Sequence, residues 1–313
     1  MLLRSSRART VVAVVLVSLF GAACGSDGDD DGDTAANANK TVVIGSAPFS
    51  ESVIVANMYA GALQAEGYQV TVRSGLGQRE IYLPALQQGG RNNGIDLVPE
   101  YEGTMLEFVN RNAGEASGNV QQSVERLRAR LDPMGLTVLE PSPATDQNAF
   151  AVTRATADRL GLRRLSDLAP HAGQLTLGAG PECPTRPFCL PGLEQTYGLR
   201  FETFRPLDSG GPRTIEALKA GDIDVGLVFT SSAAVADPNL VVLEDDKRLQ
   251  TADNLIPAIR KDVLDDTIES TLNRVSAALT TDDLIQLNRR ADVDKADPET
   301  LAKEWLQQNG FTK

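Results

Sequence analysis

One unit occurs twice in this chain, and that repeat restricts the fold more than any other feature. The first copy opens with Thr41-Val42-Val43-Ile44, a short β-branched run that stops at Gly45-Ser46 and reads as a buried strand. Pro48-Phe49-Ser50 then starts a helix in which Val55, Met58, Ala62 and Ala65 recur at helical spacing. Gly67 ends it, and residues 68–73 form a second strand. Gly75-Leu76-Gly77 turns the chain into a helix over about 80–88, and Gly94 leads into the strand Ile95-Asp96-Leu97-Val98, closed by Pro99-Glu100-Tyr101. The second copy runs from Leu175-Thr176-Leu177 into Gly178, through a helix near 193–197 and a strand over 201–204. The loop Asp208-Ser209-Gly210-Gly211, a helix over 214–219 and the strand Ile223-Asp224-Val225-Gly226-Leu227-Val228 complete it. Strands that alternate with helices predict parallel sheets covered on both faces, and two copies predict two similar lobes.

The segments between the copies set the expected domain plan. Residues 40–145 form the first part of lobe one, residues 146–248 form lobe two, and residues 249–313 return to lobe one as helices. Pro141, Pro143 and Asp146 mark the first crossing, and the charged stretch 244–248 lies near the second. Leu284, Leu287, Leu301 and Trp305 are the expected core positions of the returning helices. Two crossings make a hinge, and the cleft between the lobes is the expected ligand site.

The first 39 residues stand apart from this plan. Arg4, Arg7 and Arg9 precede an apolar run over 12–20 that is too short to span a bilayer comfortably. Gly21-Ala22-Ala23 follows, with the small residues a signal peptidase accepts, so residues 1–23 read as a signal peptide. Cys24 directly after them predicts lipidation, which would anchor the mature chain to the cell membrane on its outer side. The segment resembles a bacterial lipobox, with Gly21 in place of the usual aliphatic residue. Residues 24–39 are rich in Asp and hold no large apolar residue, which predicts a solvated tether.

Composition excludes several functions. The net charge of −12 argues against nucleic acid and against adsorption to anionic lipid. A single His171 and three cysteines offer no zinc set, and no metal or other cofactor is expected. In an exported chain Cys183 and Cys189 can close a small disulfide loop. The sequence holds no Gly-x-Ser-x-Gly elbow, no His-Glu-x-x-His and no phosphate loop, so an enzyme is not expected. A carboxylate-dependent hydrolase is the alternative of a different class, and it would require two facing carboxylates in the cleft.

Several motifs together resemble one family. Ile44-Gly45-Ser46, Phe49-Ser50-Glu51, Pro99-Glu100-Tyr101-Glu102-Gly103-Thr104, Leu207-Asp208-Ser209-Gly210 and Leu243-Glu244-Asp245-Asp246-Lys247 resemble the glycine betaine/choline/carnitine-type substrate-binding proteins of osmoprotectant ABC importers. The resemblance implies an α/β, two-lobed type II periplasmic-binding fold with two parallel-type sheets, flanking helices and a hinge. It also implies a monomer that hands its solute to a permease and an ATPase. The implied solute bears a quaternary ammonium group, which donates no hydrogen bond and is held by aromatic faces.

The resemblance names the ligand-binding candidates. Tyr101 stands at a family tyrosine, and Phe49 and Ser50 stand where the family lines its pocket. Gln78 and Arg79 occupy the Gly-rich turn after the second strand, and Asp208 lies in a loop facing the cleft. Thr230 and Ser231 follow the last strand of lobe two. Asn148 replaces a family tyrosine, Val98 replaces another, and Arg186-Pro187-Phe188-Cys189 replaces Arg-x-Asp-Gly, with Arg186 expected either on the ligand or paired with Glu182. Ser232 replaces an Asp. Two missing tyrosines predict a depleted cage, and the polar replacements make another small polar or polyol-like solute the alternative. Three or more rings converging on the cleft would favour the quaternary ammonium. Tyr59 and Tyr82 are expected to pack within helices.

Overall fold

A computed structural model describes residue 37 and residues 40–312. They form two five-stranded sheets. In the first, the order is β2 (Gln69–Arg73), β1 (Thr41–Gly45), β3 (Leu97–Tyr101), β10 (Leu255–Arg260) and β4 (Leu136–Val138). In the second, it is β7 (Thr203–Pro206), β6 (Thr176–Ala179), β8 (Val225–Phe229), β5 (Asn148–Thr153) and β9 (Leu240–Leu243).

The repeat extends to atomic detail. A Cβ on Gly45 would collide with Ile95 and press on Leu76 at 3.0 Å, and one on Gly178 would collide with Ile223 and press on Leu207 at 3.0 Å. Each glycine lets a strand end lie against an isoleucine two residues before β3 or β8. Asp96 Oδ2 accepts from Val43 N at 2.9 Å, and Asp224 Oδ2 accepts from Thr176 N at 2.9 Å. The two acids therefore tie the start of a third strand to the first strand of its own lobe.

The sheets are mixed, which corrects the expectation of parallel-type sheets. β10 runs antiparallel to β3 and β4, and β5 runs antiparallel to β8 and β9. The cause is the route of the chain. Parallel strands of each lobe point their C-terminal ends at the cleft, whereas β5 and β10 arrive from the other lobe through the cleft and must run the opposite way. The two crossings lie side by side, bridged between Thr145 and Asn254.

Helices cover both faces of each sheet. In lobe one, α1 (Ser50–Ala65) is buried along most of its length. The returning helices α8 (Asp266–Ala278), α9 (Thr281–Asp292) and α10 (Pro298–Gln308) pack on it, and Leu284, Leu287, Leu301 and Trp305 join one core with Ile54, Met58 and Tyr59. The intervening helices are α2 (Arg79–Gln88), α3 (Glu102–Val109), α4 (Val120–Leu131), α5 (Arg154–Leu160), α6 (Leu190–Gly192) and α7 (Pro212–Ala220). No helix of the described residues is long and apolar enough to cross a membrane. Residues 1–24, with the expected signal peptide and Cys24, lie outside the described residues, as does nearly all of the expected tether.

A ring-lined cleft as candidate functional site

The cleft opens where β1, β3, β6 and β8 end, because strand ends leave backbone groups and loops free to meet a ligand. It encloses a cavity of about 120 Å³. Six aromatic side chains line it: Phe49, Tyr82, Tyr101, Phe108, Phe188 and Phe229. Phe49 lies at the N-terminus of α1, 6.4 Å from Tyr101 and 5.9 Å from Phe229 between ring centroids. The first contact is within lobe one and the second crosses the cleft.

Phe188 reaches the cavity through a braced loop. Cys183 and Cys189 form a disulfide with Cα atoms 5.2 Å apart. The Phe188 carbonyl accepts from Asn148 Nδ2 at 3.2 Å and from Gln250 Nε2 at 3.0 Å. Asn148, expected to replace a ring, thus helps to hold one.

The two arginines of the site are differently committed. Arg79 forms a bidentate pair with Glu100, at 2.8 Å through Nε and 2.6 Å through Nη2, and Tyr82 donates to the same carboxylate at 2.7 Å. Burial opposes the charge on Arg79, yet Glu100 beside it more than offsets this and its pKa is raised. Arg79, an expected ligand residue, thus lines the cleft with its guanidinium engaged in a buried ion pair. Arg186 does not pair with Glu182. Its Nη2 meets Glu80 of the other lobe at 2.9 Å, and its guanidinium sits 4.9 Å above the Phe108 ring. Burial and then neighbouring Arg79 lower its pKa.

Behind the rings lies a chain of buried acids that the sequence reading missed. Tyr101 donates its hydroxyl to Glu51, and Asn288 Nδ2 donates to the other Glu51 oxygen at 2.5 Å. Asn288 also donates to the Ser231 carbonyl at 3.1 Å, and Ser231 Oγ donates to Asp146 at 2.8 Å. The chain runs from lobe one into lobe two. Burial raises the pKa of Glu51 and of Asp146, and each is raised further, directly or through the cluster, by a neighbouring acid. Burial also pushes Asp253 up to about 7 and Glu102 up to about 8.

The remaining candidates divide. Gln78 lies in the cleft and donates to Ser209 of the other lobe at 3.1 Å. Ser50 and Asp208 line an adjoining chamber, where Ser50 donates to Asp292 at 2.5 Å. Asp208 caps α7, accepting from Arg213 N, Thr214 N and the Thr214 hydroxyl. Thr230 is not brought to the cleft: it lines a separate hollow beside the crossings and accepts from Gln147 N at 2.9 Å. Both residues lie in the turn that follows β8, which directs Ser231 to Asp146 and Thr230 to Gln147.

Tyr82 packs in the core of lobe one, as expected, and one side of it also reaches the cavity wall. Phe108, Phe188 and Phe229 had no signal beyond ordinary apolar character. Where two family tyrosines are replaced, Phe108, Phe188 and Phe229 bring other rings to the cavity wall. Among the described residues no cluster of three or more metal-ligating side chains occurs.

Known proteins share this architecture and sequence. The family described as the substrate-binding domain of ABC-type glycine betaine transport systems matches residues 40–308. A glycine-betaine-binding protein of Pseudomonas aeruginosa is 30% identical over 283 residues, covering 86% of this chain and 88% of that protein. The glycine betaine-binding protein YehZ of Escherichia coli is 27% identical, covering 87% and 92%. A solved glycine betaine/carnitine/choline ABC transporter structure superposes with a TM-score of 0.67 at 25% identity, covering 86% of this chain and 99% of that one. Matched along most of its length by fold and by sequence, the chain belongs to the family of substrate-binding domains of ABC-type glycine betaine transport systems.

Proposed function

We propose that the chain captures glycine betaine or a related quaternary-ammonium solute and delivers it to an importer. The six rings around one small cavity carry this reading. A trimethylammonium group is bulky, cationic and without hydrogen-bond donors, so ring faces suit it and a polyol they do not. Asp146 and Asp253 lie in the same wall, where a bound cation would favour their ionised forms. Arg186 contacts Glu80 through Nη2, and its Nε and Nη1 are positioned in this reading for the carboxylate of a betaine. The crossings at 139–147 and 244–254 would serve as the hinge, with Gln78, Ser209, Arg186 and Glu80 meeting on closure.

As the binding component of an importer the chain works outside the cytoplasm, with a permease and an ATPase as partners. We further propose that it works as a monomer tethered through lipidated Cys24, a reading supported by the sequence of residues 4–24. Cys24→Ala should release the protein from the membrane fraction, and retention would refute the anchor.

A thermal-shift screen of the purified protein tests the ligand. Glycine betaine, well above its dissociation constant, should raise the melting temperature, because it binds only the folded state. A shift with sugars or polyols and none with glycine betaine would refute the reading.

A further inference from the structure

Beyond the ring-lined cavity the cleft contains a second chamber. Phe49, Gln78, Asp146, Ser209 and Phe229 line both spaces. These shared residues make two cross-lobe contacts: the Phe49 ring 5.9 Å from the Phe229 ring, and the hydrogen bond from Gln78 to Ser209. Both contacts join opposite lobes, so a small change in lobe separation would connect the chambers.

The chemistry of the second chamber differs from that of the first. Glu51, Asp146, Asp208 and Asp292 line it, with Lys295 as the one basic side chain among its lining residues. Lys295 donates to the Asp292 carbonyl. Ser232 and Asn288 also line it. They are 6% and 5% exposed, and Ser232 Oγ and Asn288 Oδ1 have no hydrogen-bond partner. Buried polar atoms are nearly always paired, so two unpaired ones in one wall indicate a missing group. Asn288 Oδ1 can only accept, the Ser232 hydroxyl can accept, and the carboxyl groups around them take their ionised form beside a cation. The missing group is therefore a hydrogen-bond donor, and a cationic one suits the charge.

We propose that this chamber receives the side chain of an amino-acid betaine, an arm that ends in an ammonium or a similar cationic donor. The inference rests on the quaternary-ammonium reading: the trimethylammonium occupies the rings, and the arm on the same α-carbon passes the Phe49–Phe229 contact. The substrate class is then the Nα-trimethylated form of a basic amino acid, with glycine betaine as its armless parent.

Calorimetric titration of the full chain with three betaines tests this. Glycine betaine has no arm, Nα-trimethylnorvaline has an apolar propyl arm, and Nα-trimethylornithine has the same arm ending in an ammonium. The ornithine form should bind at least tenfold more tightly than the other two. In Ser232→Ala/Asp292→Asn that advantage should fall at least threefold, while glycine betaine affinity stays unchanged and reports a correct fold. Equal or weaker binding of the ornithine form would overturn the chamber and leave the ammonium reading intact, as would an undiminished advantage in the double variant. Binding of none of the three would overturn both readings.

Discussion

Arg186 of lobe two and Glu80 of lobe one form an ion pair across the cleft, with Nη2 2.9 Å from Oε1. Glu80 is about half exposed and Arg186 is mostly covered, so the pair is screened on one side only. Such a pair contributes at most about 1 kcal/mol. Glu80→Gln should therefore lower glycine betaine affinity less than fivefold, and by less still at high salt. Arg186→Gln removes the proposed carboxylate partner as well and should cost tenfold or more. Choline has no carboxylate, so its affinity should fall no further in Arg186→Gln than in Glu80→Gln. Equal losses for both ligands in Arg186→Gln would remove the carboxylate contact.

Arg79 and Glu100 make the second ion pair of the site, and this one is enclosed. The Glu100 side chain is fully buried and Arg79 is 10% exposed. Removing one partner leaves a buried charge alone, which costs about 3–5 kcal/mol. Arg79→Met should lower the melting temperature sharply, and Glu100→Gln added to it should recover a large part of the loss. Tyr82 donates to Glu100 and can still do so to the amide oxygen. A double variant as unstable as Arg79→Met would place the loss in packing rather than in charge.

The repeat made the two lobes legible in the sequence, because strand, glycine and isoleucine recur in the same order. Gly45 with Ile95 and Gly178 with Ile223 are one packing solution used twice. The antiparallel course of β5 and β10 was not legible. It follows from where the chain crosses, and a local apolar run is the same in either direction. Tyr101 and Phe49 were found through motifs flanking strand ends. Phe108, Phe188 and Phe229 were not, because a phenylalanine that lines a cavity and one that fills a core look alike in one dimension. The acid chain of Glu51, Asn288, Ser231 and Asp146 joins residues up to 237 positions apart, which no spacing rule captures.

The disulfide between Cys183 and Cys189 closes a short loop whose members Arg186, Pro187 and Phe188 line the cavity. Constraining a loop of this size in the unfolded chain stabilises the fold by about 2–3 kcal/mol. Cys183→Ser/Cys189→Ser should lower the melting temperature and also weaken glycine betaine binding, since Phe188 then rests on Asn148 and Gln250 alone. Unchanged affinity in the folded double variant would show that those two hydrogen bonds suffice to place the ring.

Buried acids should make the protein more stable in mild acid than in mild base. Asp253 is raised to about 7 and Glu102 to about 8, chiefly by burial. Unfolded, both titrate near about 4, so between pH 4 and 8 the native state holds protons that the unfolded state has lost. Their contribution is full below the unfolded pKa and is lost as pH rises through the folded one. The melting temperature should fall from pH 5 to pH 8.5. Glu102→Gln, which cannot ionise, should flatten that slope and melt above the parent at pH 8.5. A parent protein that gains stability over this range would refute the assignment.

The same acids predict how binding responds to pH. Asp146 and Asp253 line the ring cavity, and the pKa of both is raised chiefly by burial. A quaternary ammonium placed among the rings favours their ionised forms, because an opposite charge stabilises a carboxylate. Binding should then expel protons, and affinity for choline or glycine betaine should rise from pH 6 to pH 8. Titration calorimetry in two buffers of different ionisation enthalpy measures the proton count directly. Release of protons at pH 6.5 that shrinks in Asp253→Asn would assign the linkage to Asp253. Proton uptake, or none, would show that the solute's positive charge is not felt by the acids of the cleft.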